Sequence, residues 1–191
     1  VLSWLLWELA NMPAEQRQIR RLLHANEVHP ASDGSGARRG SGSEADRRLS
    51  ALISESLRLY PPIALLLRET TEDMTLSKKR LPADSYVVVS PWTLQRHRGH
   101  WEHAHTFQPS RWLADEPPRA MQDRMVFIPF GYGPRVCPGK RFADVEMHAI
   151  LAELMRSCRF SRSRGRAPKP LGMLTSRPDR DFRLIVEQQS V

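Results

Sequence analysis

The chain has 191 residues, of which 40% are hydrophobic, and a chain of this length and composition can bury a true core, so disorder throughout is excluded. Its two cysteines, twenty-one residues apart and without a charged-then-apolar leader, give neither a disulfide framework nor a secretory context, and a reducing intracellular compartment is the expectation. The 29 Lys and Arg against 21 Asp and Glu leave a formal net charge of +8, and between Arg119 and Arg166 ten basic residues face four acidic ones. Six of the eight net charges thus fall in one quarter of the chain, a field that suits nucleic acid, anionic lipid, an acidic protein or simply solvent.

Leu2, Leu5, Leu6 and Leu9 recur at helical spacing, and Asn11 followed by Pro13 predicts a stop and a second helix carrying Ile19, Leu22 and Leu23. The first apolar run is broken by Glu8 and is far shorter than the roughly 18 residues of a membrane span. Val1 is not Met and stands inside the helical pattern, so sequence upstream is expected, and membrane attachment is left open. From Pro30 to Ser43 the composition turns to Gly, Ser, Ala and Arg, predicting a flexible loop, which with its flanks occupies 26–48. A third helix follows on the stripe Leu49, Leu52, Ile53, Leu57 and Tyr60, ending at Pro61-Pro62. Ile63 to Leu67, Met74 to Leu76 and Tyr86 to Val89 predict a small sheet that completes the segment 49–90. Segment 91–129 shows no sustained period and predicts a long connection with a short helix at Trp92 to Arg96. After Gly139 a last helix presents Phe142, Val145, Ala149, Ala152 and Met155 on one face, and a basic linker leads to a terminal strand or hairpin around Phe182 to Val186.

The most informative stretch is Phe130-Gly131-Tyr132-Gly133-Pro134-Arg135-Val136-Cys137-Pro138-Gly139. Its glycines and prolines predict a rigid, tightly turned loop whose backbone can approach a flat object closely. Cys137 is presented at its end, two residues after Arg135 and just ahead of a helix amino terminus, a setting that suits a ligand or a nucleophile. The competing readings are a structural cysteine, a nucleophile with a base brought near by folding, and zinc, for which Cys158 offers no partner at ligand spacing. His97, His100, His103 and His105 stand at mixed spacing in an Arg-rich loop and read as surface histidines.

The stretch resembles the haem-binding loop of the cytochrome P450 family, Phe-x-x-Gly-x-Arg-x-Cys-x-Gly, with Phe130, Gly133, Arg135, Cys137 and Gly139 filling all five fixed positions. Glu55-Ser56-Leu57-Arg58 resembles the family's Glu-x-x-Arg, and Phe107-Gln108-Pro109-Ser110-Arg111-Trp112 resembles the Phe-x-Pro-x-Arg-Trp of its meander. On a helix Glu55 and Arg58 are neighbours facing away from the apolar stripe, which alone would make an exposed pair of little worth. The resemblance implies instead that the meander covers them and that Glu55, Arg58 and Arg111 form a buried clasp.

What the resemblance implies for fold is a mainly α protein with small β-sheets, the C-terminal half of the family's fold and an incomplete domain. It would comprise the end of the central helix and the next helix (1–25), the meander (91–129), the haem loop (130–139), the proximal helix (140–160) and a basic linker with terminal strands (161–191). It implies haem b as cofactor, Cys137 as axial iron ligand, and Arg68 and Arg135 reaching the haem propionates. Haem-thiolate monooxygenation of an apolar small molecule follows, with Ile63 to Leu67 bordering the substrate and an electron-transfer partner, a reductase or ferredoxin-like protein, on the basic proximal face. The oxygen-activating residues would lie upstream, so no catalytic residue is identified in these 191 positions. Peroxygenase or isomerase chemistry, and a fragment that no longer binds haem, are the alternatives, and nucleic acid is not an expected partner. Two departures from the family pattern touch loop shape: Pro82-Ala83-Asp84 replaces Pro-Lys-Gly, and Ala104 replaces a meander proline.

Overall fold

The computed structural model describes residues 1–27, 42–114, 125–172, 175–179 and 181–189. Helix α1 (Leu2–Leu9) ends at Ala10, and α2 (Pro13–Glu27) opens with proline at its first position, where the missing N–H costs nothing. The glycine- and serine-rich stretch predicted as a loop lies outside the described residues, apart from Gly42 and Ser43. Helix α3 (Glu44–Leu59) begins earlier than expected, taking in Glu44 to Arg48. Its start is set by a capping box: the Ser43 hydroxyl accepts from Asp46 N at 3.2 Å, and Asp46 Oδ2 accepts from Ser43 N at 3.1 Å. Tyr60 closes the helix at Pro61.

The expected single small sheet is two separate ladders. Strand β1 (Leu66–Glu69) pairs antiparallel with β4 (Tyr86–Val89), placing Leu66 opposite Val89. Between them β2 (Met74–Leu76) pairs with β3 (Lys79–Leu81), a strand with two cationic residues that carries no apolar alternation. Asp84, in the turn before β4, has φ +60°, so it takes a left-handed conformation that glycine would adopt freely. The turn is nonetheless held, because Asp84 N donates to Thr70 O at 2.8 Å and Ser85 N donates to Thr70 Oγ1 at 2.9 Å.

A short helix α4 (Pro91–Leu94) and a 3₁₀ turn (Pro109–Trp112) are the regular pieces of the long connection among the described residues. Helix α5 (Lys140–Ser157) runs into β5 (Cys158–Arg162), which pairs along its length with β8 (Leu184–Gln188), and the small pair β6 (Pro170–Leu171) and β7 (Arg177–Pro178) lies between. No helix among the described residues is long and apolar enough to cross a membrane.

Leu5, Leu9, Ile19, Leu23, Leu49, Leu52, Leu151 and Met155 form one core, drawn from α1, α2, α3 and α5. The buried face of α5 differs from the expected one. Ala152 and Met155 are buried as predicted, but Met147 and Leu151 complete the face, while Phe142 and Val145 stay 72% and 70% exposed and Ala149 is exposed as well. Two apolar arcs overlap on this helix, and the positions of α2 and α3 decide which of them is covered.

Gln16, 1% exposed, ties α2 to the terminal ladder: its Nε2 donates to Leu9 O at 2.7 Å and Phe160 O at 2.9 Å, and its Oε1 accepts from Phe160 N at 2.8 Å. Gln16→Leu keeps the volume but strands these backbone groups in the core, so urea unfolding should show a loss of about 1–3 kcal/mol with an unchanged slope. An unchanged midpoint would contradict it.

Candidate functional site

Glu55 and Arg58 stand one turn apart on α3 and both side chains are 0% exposed. Arg58 grips Glu55 with two bonds, Nε to Oε2 and Nη2 to Oε1, each 2.9 Å. The other donors of the guanidinium reach three backbone carbonyls of the long connection: Gln95 and Ala104 at 2.8 Å and Thr106 at 3.1 Å. The Glu55 carboxylate receives three more bonds, from Arg111 Nε at 3.2 Å, Gln108 N at 2.8 Å and Trp112 Nε1 at 2.8 Å. The structure thus brings Glu55, Arg58 and Arg111 together. It also buries the face that points away from the apolar stripe, because segment 95–112 lies across it.

Trp101, 1% exposed, closes the arrangement with its ring 5.1 Å from the Arg58 guanidinium carbon, and Trp112 and Phe127 pack against it. Ala104, where a proline was expected from the family pattern, is buried and supplies one of the three carbonyls.

Gln95, on which sequence reasoning laid no emphasis, is also 0% exposed. Its Nε2 donates to the carbonyls of Leu57 and Arg58 at 3.0 and 3.1 Å, which lie at the end of α3 and lack helical partners. Its Oε1 accepts from Ile128 N at 2.9 Å, two residues before Phe130. A glutamine within a polar stretch carries no signal of this in its spacing. The Trp112 indole was within a recognised motif, but its bond to Glu55 depends on the approach of two distant segments.

The cysteine loop is closed on itself. Gly131 N donates to Ile128 O at 3.0 Å, Val136 N to Gly133 O at 3.0 Å, Cys137 N to Phe130 O at 2.9 Å and Lys140 N to Cys137 O at 3.3 Å. Gly131 and Gly133 have φ +77° and +73°, a region in which a side chain is strained, so the turn requires glycine at both. Gly139 differs, since its φ is −80° and an added Cβ would lie an ordinary 3.8 Å from the Cys137 sulfur. Phe130 packs against the main core, anchoring one end, while Cys137 is exposed just ahead of the amino end of α5.

Arg135 ends a 3₁₀ turn (Gly133–Arg135) and is exposed. Arg68, on β1, is exposed too, and its Nη1 donates to Leu67 O at 2.8 Å. Among the described residues no hydrogen bond or ion pair joins Arg68, Arg135 and Cys137. His97, His100, His103 and His105 are exposed, and no group of three or more His, Cys, Asp or Glu that could hold a metal ion occurs among the described residues. The donor set does fit haem. An exposed sulfur follows exposed apolar Val136 and precedes exposed Phe142 by five residues, and two guanidiniums with exposed side chains match the carboxylates such a group carries.

Glu55→Ala leaves Arg58 buried without its anion and Gln108 N and Trp112 Nε1 without their acceptor. A stability loss of about 3–5 kcal/mol in denaturant titration is expected, enough to deplete the folded protein. A variant that unfolds at the parental denaturant concentration would refute the all-or-none character of the clasp.

The cytochrome P450 family model matches residues 1–184. Cytochrome P450 71D94 of Mentha gracilis is 32% identical over 155 residues, covering 81% of this chain and 30% of that protein. Tabersonine 6,7-epoxidase isoform 2 of Catharanthus roseus is 30% identical over 167 residues, covering 87% and 32%, and thromboxane-A synthase of Sus scrofa is 29% identical over 160 residues, covering 83% and 29%. The chain therefore spans about a third of the length of these relatives. On a match that runs nearly end to end, the chain belongs to the cytochrome P450 family.

Proposed function

We propose that this chain is the haem-binding, C-terminal part of a haem-thiolate monooxygenase, with Cys137 as the axial ligand of haem b. The observation that carries the reading is the exposed sulfur at the end of a loop closed by the Cys137 N to Phe130 O bond and braced from behind by Phe130. Haem held through a thiolate supplies the activation of dioxygen and the insertion of one oxygen atom into an organic substrate.

In this reading the protein residues hold and orient. Gly131 and Gly133 fold the loop so that the sulfur is presented, and α5 starts directly after it, with Gly139 as its N-cap. Arg68 and Arg135 pair with the propionates through planar forks of donors. Ile63 and Leu67, 38% and 57% exposed, offer aliphatic surface to an apolar substrate. The excess of cations between Arg119 and Arg166 receives an acidic electron-transfer partner.

Two measurements test this. Cys137→Ser in the haem-loaded protein should abolish the red-shifted absorption band of the reduced carbon monoxide complex, and persistence of that band would exclude Cys137 as ligand. Reduction by an acidic partner should slow steeply as ionic strength rises, because exposed charges beyond about 10 Å are screened at ~0.1 M salt. A salt-independent rate would remove the basic face from the proposal.

A further inference from the structure

A cleft of about 410 Å³ borders α4, lined by Trp92, Thr93, Arg96, His97, Arg98 and His105. Four of these six residues are cationic or can become so, and no carboxylate is among them. At its back Arg96 is stacked on Trp92, its guanidinium carbon 3.3 Å from the ring centroid, with Tyr60 on another side at 6.0 Å. Its Nη1 donates to Trp92 O at 3.3 Å, and no ion pair to Arg96 occurs among the described residues. Glu8, the carboxylate of this neighbourhood, is engaged elsewhere: it accepts from Tyr60 Oη at 2.5 Å and faces Arg162 at 3.5 Å.

Arg96 is therefore unlike the other buried guanidinium. Arg58 is neutralised by Glu55 with two bonds, whereas Arg96 is half-buried on an aromatic face with a single bond to a neutral carbonyl. Burial, with the positive charge of Arg58 nearby, holds its pKa down at about 10 despite the partly offsetting influence of Tyr60. A desolvated cation of this kind is stabilised by an anion delivered from solution.

We propose that this cleft binds a phosphate-bearing anion, with Arg96 as the seat and Arg98, His97 and His105 as the surrounding donors. Phosphate is favoured over a carboxylate because its oxygens can engage several donors at once, and a guanidinium fork matches two of them. Arg98, His97 and His105 are exposed, so an anion attached to a larger body can enter with the rest of that body outside. Cys137 is not among the residues that line the cleft.

Titration of inorganic pyrophosphate into the purified protein, followed by calorimetry and by tryptophan emission, tests the proposal. Saturable one-to-one binding is expected, with an emission change that Trp92→Phe removes. Arg98→Ala, at an exposed position, should weaken binding about tenfold. Arg164→Ala, in the basic segment after β5, should leave it unchanged. Phosphatidylcholine vesicles with and without phosphatidic acid distinguish the source. If the anion is a lipid headgroup, the protein co-sediments with the phosphatidate vesicles, Arg98→Ala does not, and pyrophosphate competes. If it is a soluble phosphate, pyrophosphate binds and vesicles do not. Absence of binding to either probe overturns the proposal, as does equal binding by the parent, Arg98→Ala and Arg96→Gln.

Discussion

One carboxylate organises the part of this molecule that has little regular structure. Glu55 sits on α3 with no exposure and receives two bonds from Arg58 and one each from Arg111, Gln108 N and Trp112. Taking the ions out of water costs several kcal/mol each, of the order of the whole stability of a domain, and the cost is offset only when every donor is in place. The stretch from Gln95 to Trp112 cannot then drift, because leaving its place would strip a buried ion pair of its hydrogen-bond partners. An extended segment with few backbone ladders acquires a single conformation through side-chain bonds to its carbonyls and amides.

The same arrangement reaches the cysteine loop through neutral groups. Arg58 Nη1 holds the carbonyl of Gln95, the Gln95 amide holds the last carbonyls of α3, and its oxygen holds Ile128 N. From Ile128 the loop closes by Gly131 N to Ile128 O and Cys137 N to Phe130 O. A charge pair in the interior and an exposed sulfur are thus joined through hydrogen bonds of 2.8–3.1 Å, of which those of Arg58 and Gln95 are buried. Precision at the sulfur is a property of that series and not of the loop alone.

Electrostatics divides the two ends of the connection. At the Glu55 end every buried cation is matched; at the α4 end Arg96 stacks on Trp92 and is balanced by no carboxylate among the described residues. The apolar surface is divided as well. One arc of α5 enters the core through Met147, Leu151 and Met155, and the other, with Phe142 and Val145, faces outward close to the cysteine loop. An exposed aromatic and an exposed aliphatic on one helix face mark surface suited to an apolar contact.

Local chemistry was legible in the residues themselves: the helices of the first sixty positions from their leucine spacing, the stop at Pro61, the tight cysteine loop from its glycines and prolines, and the family from three motifs in order. The earlier start of α3 was written in Ser43 and Asp46, a capping pair that loop-like composition obscured. Folding in three dimensions decided the rest. Whether Glu55 and Arg58 are a weak surface pair or a buried clasp depends on a segment some fifty residues away settling over them. Gln16 and Gln95 become structural because carbonyls and amides from distant elements converge on them, and which arc of α5 is buried depends on where α2 and α3 lie. Periodicity reports what a segment can bury and how it can turn. It does not report which neighbour arrives, and burial, which sets the worth of every charge and amide here, is a property of neighbours.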